Sequence, residues 1–239
     1  MFNRECELEI DHSWIPASSQ SRLRLRDERE YAPESTNLLD ELPIMSSTLL
    51  GLDMILQEPY IDLRIVSDLI LSDVGATIKI LRLIGREYDF EADRPSRIGD
   101  CIAGLDVNAW YGAVSARTFP CDREHRATTA VWKHCHLVAQ YAQLVAESME
   151  NIAPEDAYLV GLLHGVGAIP RVLGWRYRDR GGRTASALSE IGEVLPLFVH
   201  SALRSLDDSS TSSTWRFILT AAHELAASGR SSLPVRRIP

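Results

Sequence analysis

Apolar residues recur every three or four positions from Asn37 onward, and this spacing limits the fold more than any other feature of the chain. Leu42-Pro43 opens a run in which Met45, Leu49, Leu52, Ile55 and Leu56 form one helical stripe, and Gln57-Glu58-Pro59 breaks it. Asp62 is placed to N-cap a short helix carrying Ile65, Val66, Leu69 and Ile70. Ser72-Asp73 reads as a stop and a new start, ahead of Ile78, Leu81 and Leu83. Arg94-Pro95-Ser96 punctuates again, and Ile98, Ile102 and Leu105 resume the stripe. A longer helix is expected over 126–149, with Ala127, Val131, His134, Val138, Tyr141 and Val145 on one face. Pro154-Glu155-Asp156 suits the first turn of the next helix, since proline needs no donor there and acids favour the positive end of the dipole. That helix carries Tyr158, Leu159, Leu162 and Leu163 and runs into Gly165 and Gly167. Thr184 to Leu206 and Thr214 to Ala227 read as further amphipathic helices around a serine-rich break. Alternating strand patterns are hard to find, so the fold class is all-α.

The 239 residues suffice for one large domain or two lobes. Residues 1–36 are polar and charged without a sustained period and read as a tail. The body divides into two helical lobes, 37–120 and 121–239, expected to share one core. A net charge of −8 repels phosphate backbones, so no direct nucleic-acid partner is expected. The arginines at 171, 176, 178, 180 and 183 read as a solvated loop interrupted by Asp179 and Gly181-Gly182. Cys6, Cys101, Cys121 and Cys135 show no CxxC spacing, which suits free thiols in a reducing compartment. The first fifteen residues hold five charged side chains and no apolar signal core. The most apolar stretch, 157–170, is too short to span a bilayer. A cytoplasmic location without a membrane partner is the expectation.

Two of the seven histidines stand at informative places. His134 lies on the apolar face of its helix, and His164 ends an apolar one. Packed together, those helices would bring two imidazoles to one point, as metal sites in helical bundles require. Periodicity alone favours the plainer reading of two core histidines held by hydrogen bonds.

The motifs around them sharpen the reading. Ala157-Tyr-Leu-Val-Gly-Leu-Leu-His164-Gly165-Val166-Gly167 resembles the A-x-x-A-G-L-L-H-D-I-G signature of the HD superfamily of metal-dependent phosphohydrolases. Trp132-Lys133-His134 resembles the W-x-H that carries that superfamily's first histidine. Upstream, Leu42-Pro43, Glu58-Pro59, Leu69-Ile70-x-x-Asp73 and Lys79-Ile80-Leu81-Arg82-Leu83 resemble the pattern of the HDOD domain, the HD-related output domain of bacterial signalling proteins. The similarity covers about residues 37–170. It implies a two-lobed helical fold whose second lobe is a degenerate HD domain.

The departures bear most on function. The resemblance implies that an enzyme of the superfamily would use His, His-Asp and a distant Asp to hold the ions that activate water. Here the aspartate of the His-Asp pair is Gly165, and His223 takes the place of the final aspartate, with Glu224 beside it. Mg²⁺ and Mn²⁺ prefer oxygen, so His134, His164, Gly165 and His223 read as vestigial positions, with no metal, cofactor or catalytic residue expected. Val74 replaces a family proline, Ile84-Gly85 the usual A-N-S, and Asp106 a glycine. The resemblance then implies a non-enzymatic bacterial signalling scaffold that binds protein partners or a second copy of itself. A residual metal-dependent phosphohydrolase acting on nucleotides or phosphoesters is the alternative. Cys135 between His134 and His136 makes no dyad, because adjacent helical residues point about 100° apart. Gly165-Val-Gly167 and Gly181-Gly182 lack the spacing and the strand of a nucleotide loop. Partner-contact candidates are the aromatics near the lobe junction, Trp110, Tyr111 and Phe119. Filling of the inter-lobe core is the competing role for the first two.

Overall fold

The computed structural model describes residue 39 and residues 42–87, 98–115, 122–174, 189, 191–207 and 214–228. Ten α-helices, a further helical stretch at 191–194 and one short 3-10 turn account for most of them, and no strand forms among the described residues. The all-α reading therefore holds. Five helices precede the junction: α1 (Ser46–Leu56), α2 (Leu63–Leu71), α3 (Val74–Glu87), α4 (Ile98–Gly104) and α5 (Val107–Val114). Five follow it: α6 (Asp122–Ala146), α7 (Pro154–Leu163), α8 (Ile169–Val172), α9 (Leu197–Asp207) and α10 (Thr214–Ala227), with the 3-10 turn Val166–Ala168 between α7 and α8. Among the described residues no helix is long and apolar enough to cross a membrane. Phe119, the N-terminal tail and the arginines from 176 to 183 lie outside the described residues.

Local chemistry sets several of the helix ends. Asp62 is extended and accepts from the Arg64 N–H at 2.9 Å, capping α2 as its position suggested. Asp73 does the same for α3, accepting from the Ala76 N–H at 3.1 Å. Pro154 opens α7, with Glu155 and Asp156 in the first turn. One expected helix is corrected. The stripe from Thr184 to Leu206 passes over Pro196, but the helical residues 191–194 stop short of it and α9 begins at Leu197. Proline donates no backbone hydrogen bond and disfavours helical geometry in the residue before it, so Leu195 and Pro196 interrupt the run.

In the second lobe α7 packs along α6, α10 lies against both, and α9 covers α7 and α10. Every residue of α7 from Ala157 to Leu163 is buried, as expected of an apolar helix enclosed by three others. Gly161 is what lets α6 and α7 approach. A Cβ there would sit 2.7 Å from the Ala139 Cα and 3.1 Å from the Ala142 Cβ. The glycine of the A-x-x-A-G-L-L-H pattern and two alanines one turn apart thus meet at the crossing.

The apolar interior forms two clusters instead of the single shared core expected. One gathers Ile44, Leu52, Val66, Ile70, Ile102, Trp110 and Val114 within the first lobe. The other gathers Trp132, Val138, Leu159, Leu162, Leu163, Ile169, Val199 and Ile218 in the second. Helix α3 belongs to both. Ala76, Ile80 and Ile84 face the first cluster, whereas Val74, Ile78 and Leu81 face the second.

Polar links cross the same junction. Asp73 is fully buried, and its carboxylate accepts from the Met45 N–H at 2.6 Å and the Trp132 indole N–H at 2.9 Å, besides the Ala76 N–H and the Thr48 side chain. Burial pushes this carboxyl above its ordinary pKa, and the four donors pull it back. Tyr158 of α7 donates to the Leu71 carbonyl at 2.9 Å.

Candidate functional site

Helices α6, α7 and α10 each bring one histidine to a common point. His134 projects from the middle of α6, His164 stands at the C-cap of α7, and His223 lies in the last turns of α10. The ring centroids are 5.4 Å apart for His134 and His164, 5.1 Å for His134 and His223, and 4.8 Å for His164 and His223. One ring nitrogen from each lies within 4.8 Å of the other two. His164 is buried, and His134 and His223 are half-buried.

Hydrogen bonding fixes the tautomer of His164. Its Nδ1 lies 2.5 Å from the Gly161 carbonyl oxygen, which can only accept, so Nδ1 carries the proton and Nε2 the lone pair. All three imidazoles are held neutral at physiological pH. Burial lowers His134 to about 4, with a smaller effect from His223. It lowers His164 to about 3, reinforced by His223 and His134 and opposed by the Gly161 bond. His223 is lowered by burial as well.

Position 165 explains why the trio has no carboxylate beside it. A Cβ on Gly165 would stand 2.7 Å from the Cys135 Sγ, well inside van der Waals contact. The Gly165 N–H donates to that sulfur, and burial pushes the thiol up to about 12, so Cys135 is a filler and not a nucleophile. Glu224, the other carboxylate considered from sequence, is exposed and outside the group of mutually close ligands. Mg²⁺ and Mn²⁺ are cations that prefer oxygen. Three imidazole nitrogens, and a sulfur sealing the position of the aspartate, do not suit them.

A second histidine network starts two residues, about half a turn, further along α6. Tyr158, having donated to the Leu71 carbonyl, accepts from His136 Nδ1 at 3.0 Å, and His136 Nε2 lies 3.1 Å from the Gln140 amide nitrogen. The chain Gln140 to His136 to Tyr158 to Leu71 satisfies each member in one direction, with His136 neutral and its pKa lowered by burial.

The partner-contact candidates fare differently from one another. Trp110 is wholly enclosed in the first-lobe cluster. Tyr111, edge-on to it at 6.2 Å, is partly buried and donates to Asp53 Oδ1 at 2.5 Å. Among the described residues of this lobe, the large apolar side chains that reach solvent are Leu50 and Met54 on α1, Tyr60, and Ile65 on α2. Leu50 and Met54 are one turn apart and off the stripe of Leu49, Leu52, Ile55 and Leu56, which is the signal that could have singled them out.

Comparison with known proteins agrees with this architecture. Residues 108–176, which span α5, α6, α7 and the two histidines His134 and His164, match the family model of the HDOD domain. The resemblance read from the motifs is borne out there, and the upstream pattern lies outside the matched span. No curated protein matches the chain. Two crystal structures of the MmoQ response regulator from Methylococcus capsulatus share its fold, one with 22% identity and a TM-score of 0.56 over 82% of this chain and 88% of the other. The second gives 22% identity and a TM-score of 0.57 over 81% and 89%.

Proposed function

Taking the HDOD-domain match across residues 108–176 as premise, we propose that this chain is a non-enzymatic signal-transduction module of the bacterial cytoplasm that acts by binding protein partners or a second copy of itself. The likeness of its fold to a response regulator supports the signalling part of that reading. Cys101 and Cys135 are buried thiols outside any disulfide, in keeping with a reducing compartment.

The observation that carries the non-catalytic part is the contact between Gly165 and Cys135. Hydrolysis of a phosphoester at neutral pH needs an ion that activates water and screens the phosphate charge. At 165 the chain has no side-chain oxygen to offer such an ion, and the space for one is taken by sulfur. The test is direct. Purified chain with Mg²⁺ or Mn²⁺ should release no product from cyclic dinucleotides, nucleotides or phosphomonoesters. Turnover that survives repurification and disappears in His134→Ala would overturn the proposal.

A further inference from the structure

The donor set that fails an oxygen-preferring ion is well suited to a different one. We propose that His134, His164 and His223 form a site for a single imidazole-preferring transition-metal ion, with Zn²⁺ as its first candidate. This departs from the metal-free chain expected from the sequence, and it stands on geometry that is independent of the signalling reading.

Three features carry it. First, the three rings come from three different helices and converge with no carboxylate in the group, an arrangement that contiguous packing does not require of polar side chains. Zinc bound by three imidazoles sits about 2.0–2.1 Å from each nitrogen, which places those nitrogens roughly 3.3 Å apart. The present spread of up to 4.8 Å would close to that by side-chain rotation of His134 and His223, the two of the three that are only half-buried. Second, His164 is already arranged as a ligand. Metal-bound histidines donate their other ring N–H to a carbonyl or carboxylate, which fixes the ring and sharpens the lone pair. The Gly161 carbonyl does this for His164, leaving Nε2 as the coordinating atom. Third, an ion held by three protein ligands keeps a fourth position for water or an external ligand, and the half-buried sides of His134 and His223 give it a way in. Nitrogen donors favour Zn²⁺, Co²⁺, Ni²⁺ and Cu²⁺ over Mg²⁺ and Ca²⁺. Such an ion would pin α10 to α6 and α7.

The experiment uses the full chain stripped with EDTA and titrated with Co²⁺, a coloured stand-in for zinc. The expected result is one equivalent of Co²⁺ per chain with the intense visible bands of a four-coordinate site, erased by one equivalent of Zn²⁺ and untouched by excess Mg²⁺. Zn²⁺ should also raise the melting temperature, since an ion that binds only the folded chain stabilises it. His134→Ala and His223→Ala, at half-buried positions, should each lose the bands while remaining folded by circular dichroism. His200→Ala, on α9, should keep them. Absence of four-coordinate bands at saturating Co²⁺, or bands that persist in both His134→Ala and His223→Ala, would overturn the site. Phosphoester turnover by the zinc-loaded chain, lost in His223→Ala, would support the site and overturn the non-catalytic reading, so the two proposals fail separately.

Discussion

The indole N–H of Trp132 donates to Oδ1 of Asp73 across 2.9 Å, joining two residues 59 positions apart in the chain. Each belongs to a different sequence motif, and the two lobes are tied where those motifs meet. Removing this donor leaves that oxygen with the Ala76 N–H and weakens the support of a buried carboxylate that is already costly to keep from water. Trp132→Phe should therefore destabilise the chain by about 1–3 kcal/mol beyond the lost ring area. Trp110 is the internal control. It is equally buried, but its indole nitrogen has no hydrogen-bond acceptor among the described residues. Trp110→Phe should cost less than Trp132→Phe, because it also removes an unsatisfied donor. Chemical denaturation of both variants checks the order.

The two close-packed glycines should differ in whether a second substitution can relieve the crowding. Alanine in place of glycine inside a helix ordinarily gains about 1 kcal/mol. At Gly161 the new methyl meets the Ala139 backbone at 2.7 Å, which cannot step aside, so Gly161→Ala should destabilise the fold. At Gly165 the obstacle is a side-chain sulfur. Gly165→Ala should cost about 1–3 kcal/mol in the native background and much less when combined with Cys135→Ala. Melting temperatures of the single and double variants decide it. Gly165→Asp alone should produce no phosphoesterase activity.

Acid should unfold the metal-free chain through its histidines. His134 and His164 have folded pKa values of about 4 and about 3, below the ordinary histidine value of 6.5. The unfolded chain thus binds protons that the folded chain refuses, and stability rises with pH across this window. It is fully present above about pH 6.5 and is lost as pH falls toward 4 and then 3. Denaturation midpoints measured in EDTA from pH 7 down to pH 4 should fall steadily. His134→Gln should flatten that slope, and an unchanged slope would assign the acid sensitivity to other groups.

Tyr158→Phe should loosen the junction without touching the histidine trio. It deletes the hydroxyl that serves both the Leu71 carbonyl and His136. A loss of about 1–3 kcal/mol is expected by denaturation. Co²⁺ binding at His134, His164 and His223 should survive in the folded fraction.

Much of this architecture was legible in the residues, because it follows from local rules. Asp62, Ser72-Asp73 and Pro154 mark helix ends through their own backbone chemistry, and the stripe of Val131, Val138 and Tyr141 faces inward as its spacing requires. Pro196 carried the same kind of signal and should have outweighed the apolar stripe that runs across it. What stayed hidden depends on contacts between distant segments. Position 165 could be seen to lack a ligand, but not that Cys135 fills the gap. His223 could be aligned with a lost aspartate, yet only packing of α10 against α6 and α7 places it beside the other imidazoles. Trp110 has the composition of a contact residue and the location of a core residue, and no periodicity in a helix of eight residues separates the two.

Helix α3 has a further consequence. With Val74, Ile78 and Leu81 sealing one cluster and Ala76, Ile80 and Ile84 sealing the other, it is a party wall between two rooms. The two lobes should melt together, because loss of either cluster strips one side of the same helix and loosens the contacts of Asp73 at its start. Cooperativity of unfolding is therefore built into one stretch of fourteen residues. Trp110 in the first cluster and Trp132 in the second should lose their native environments together, as one transition.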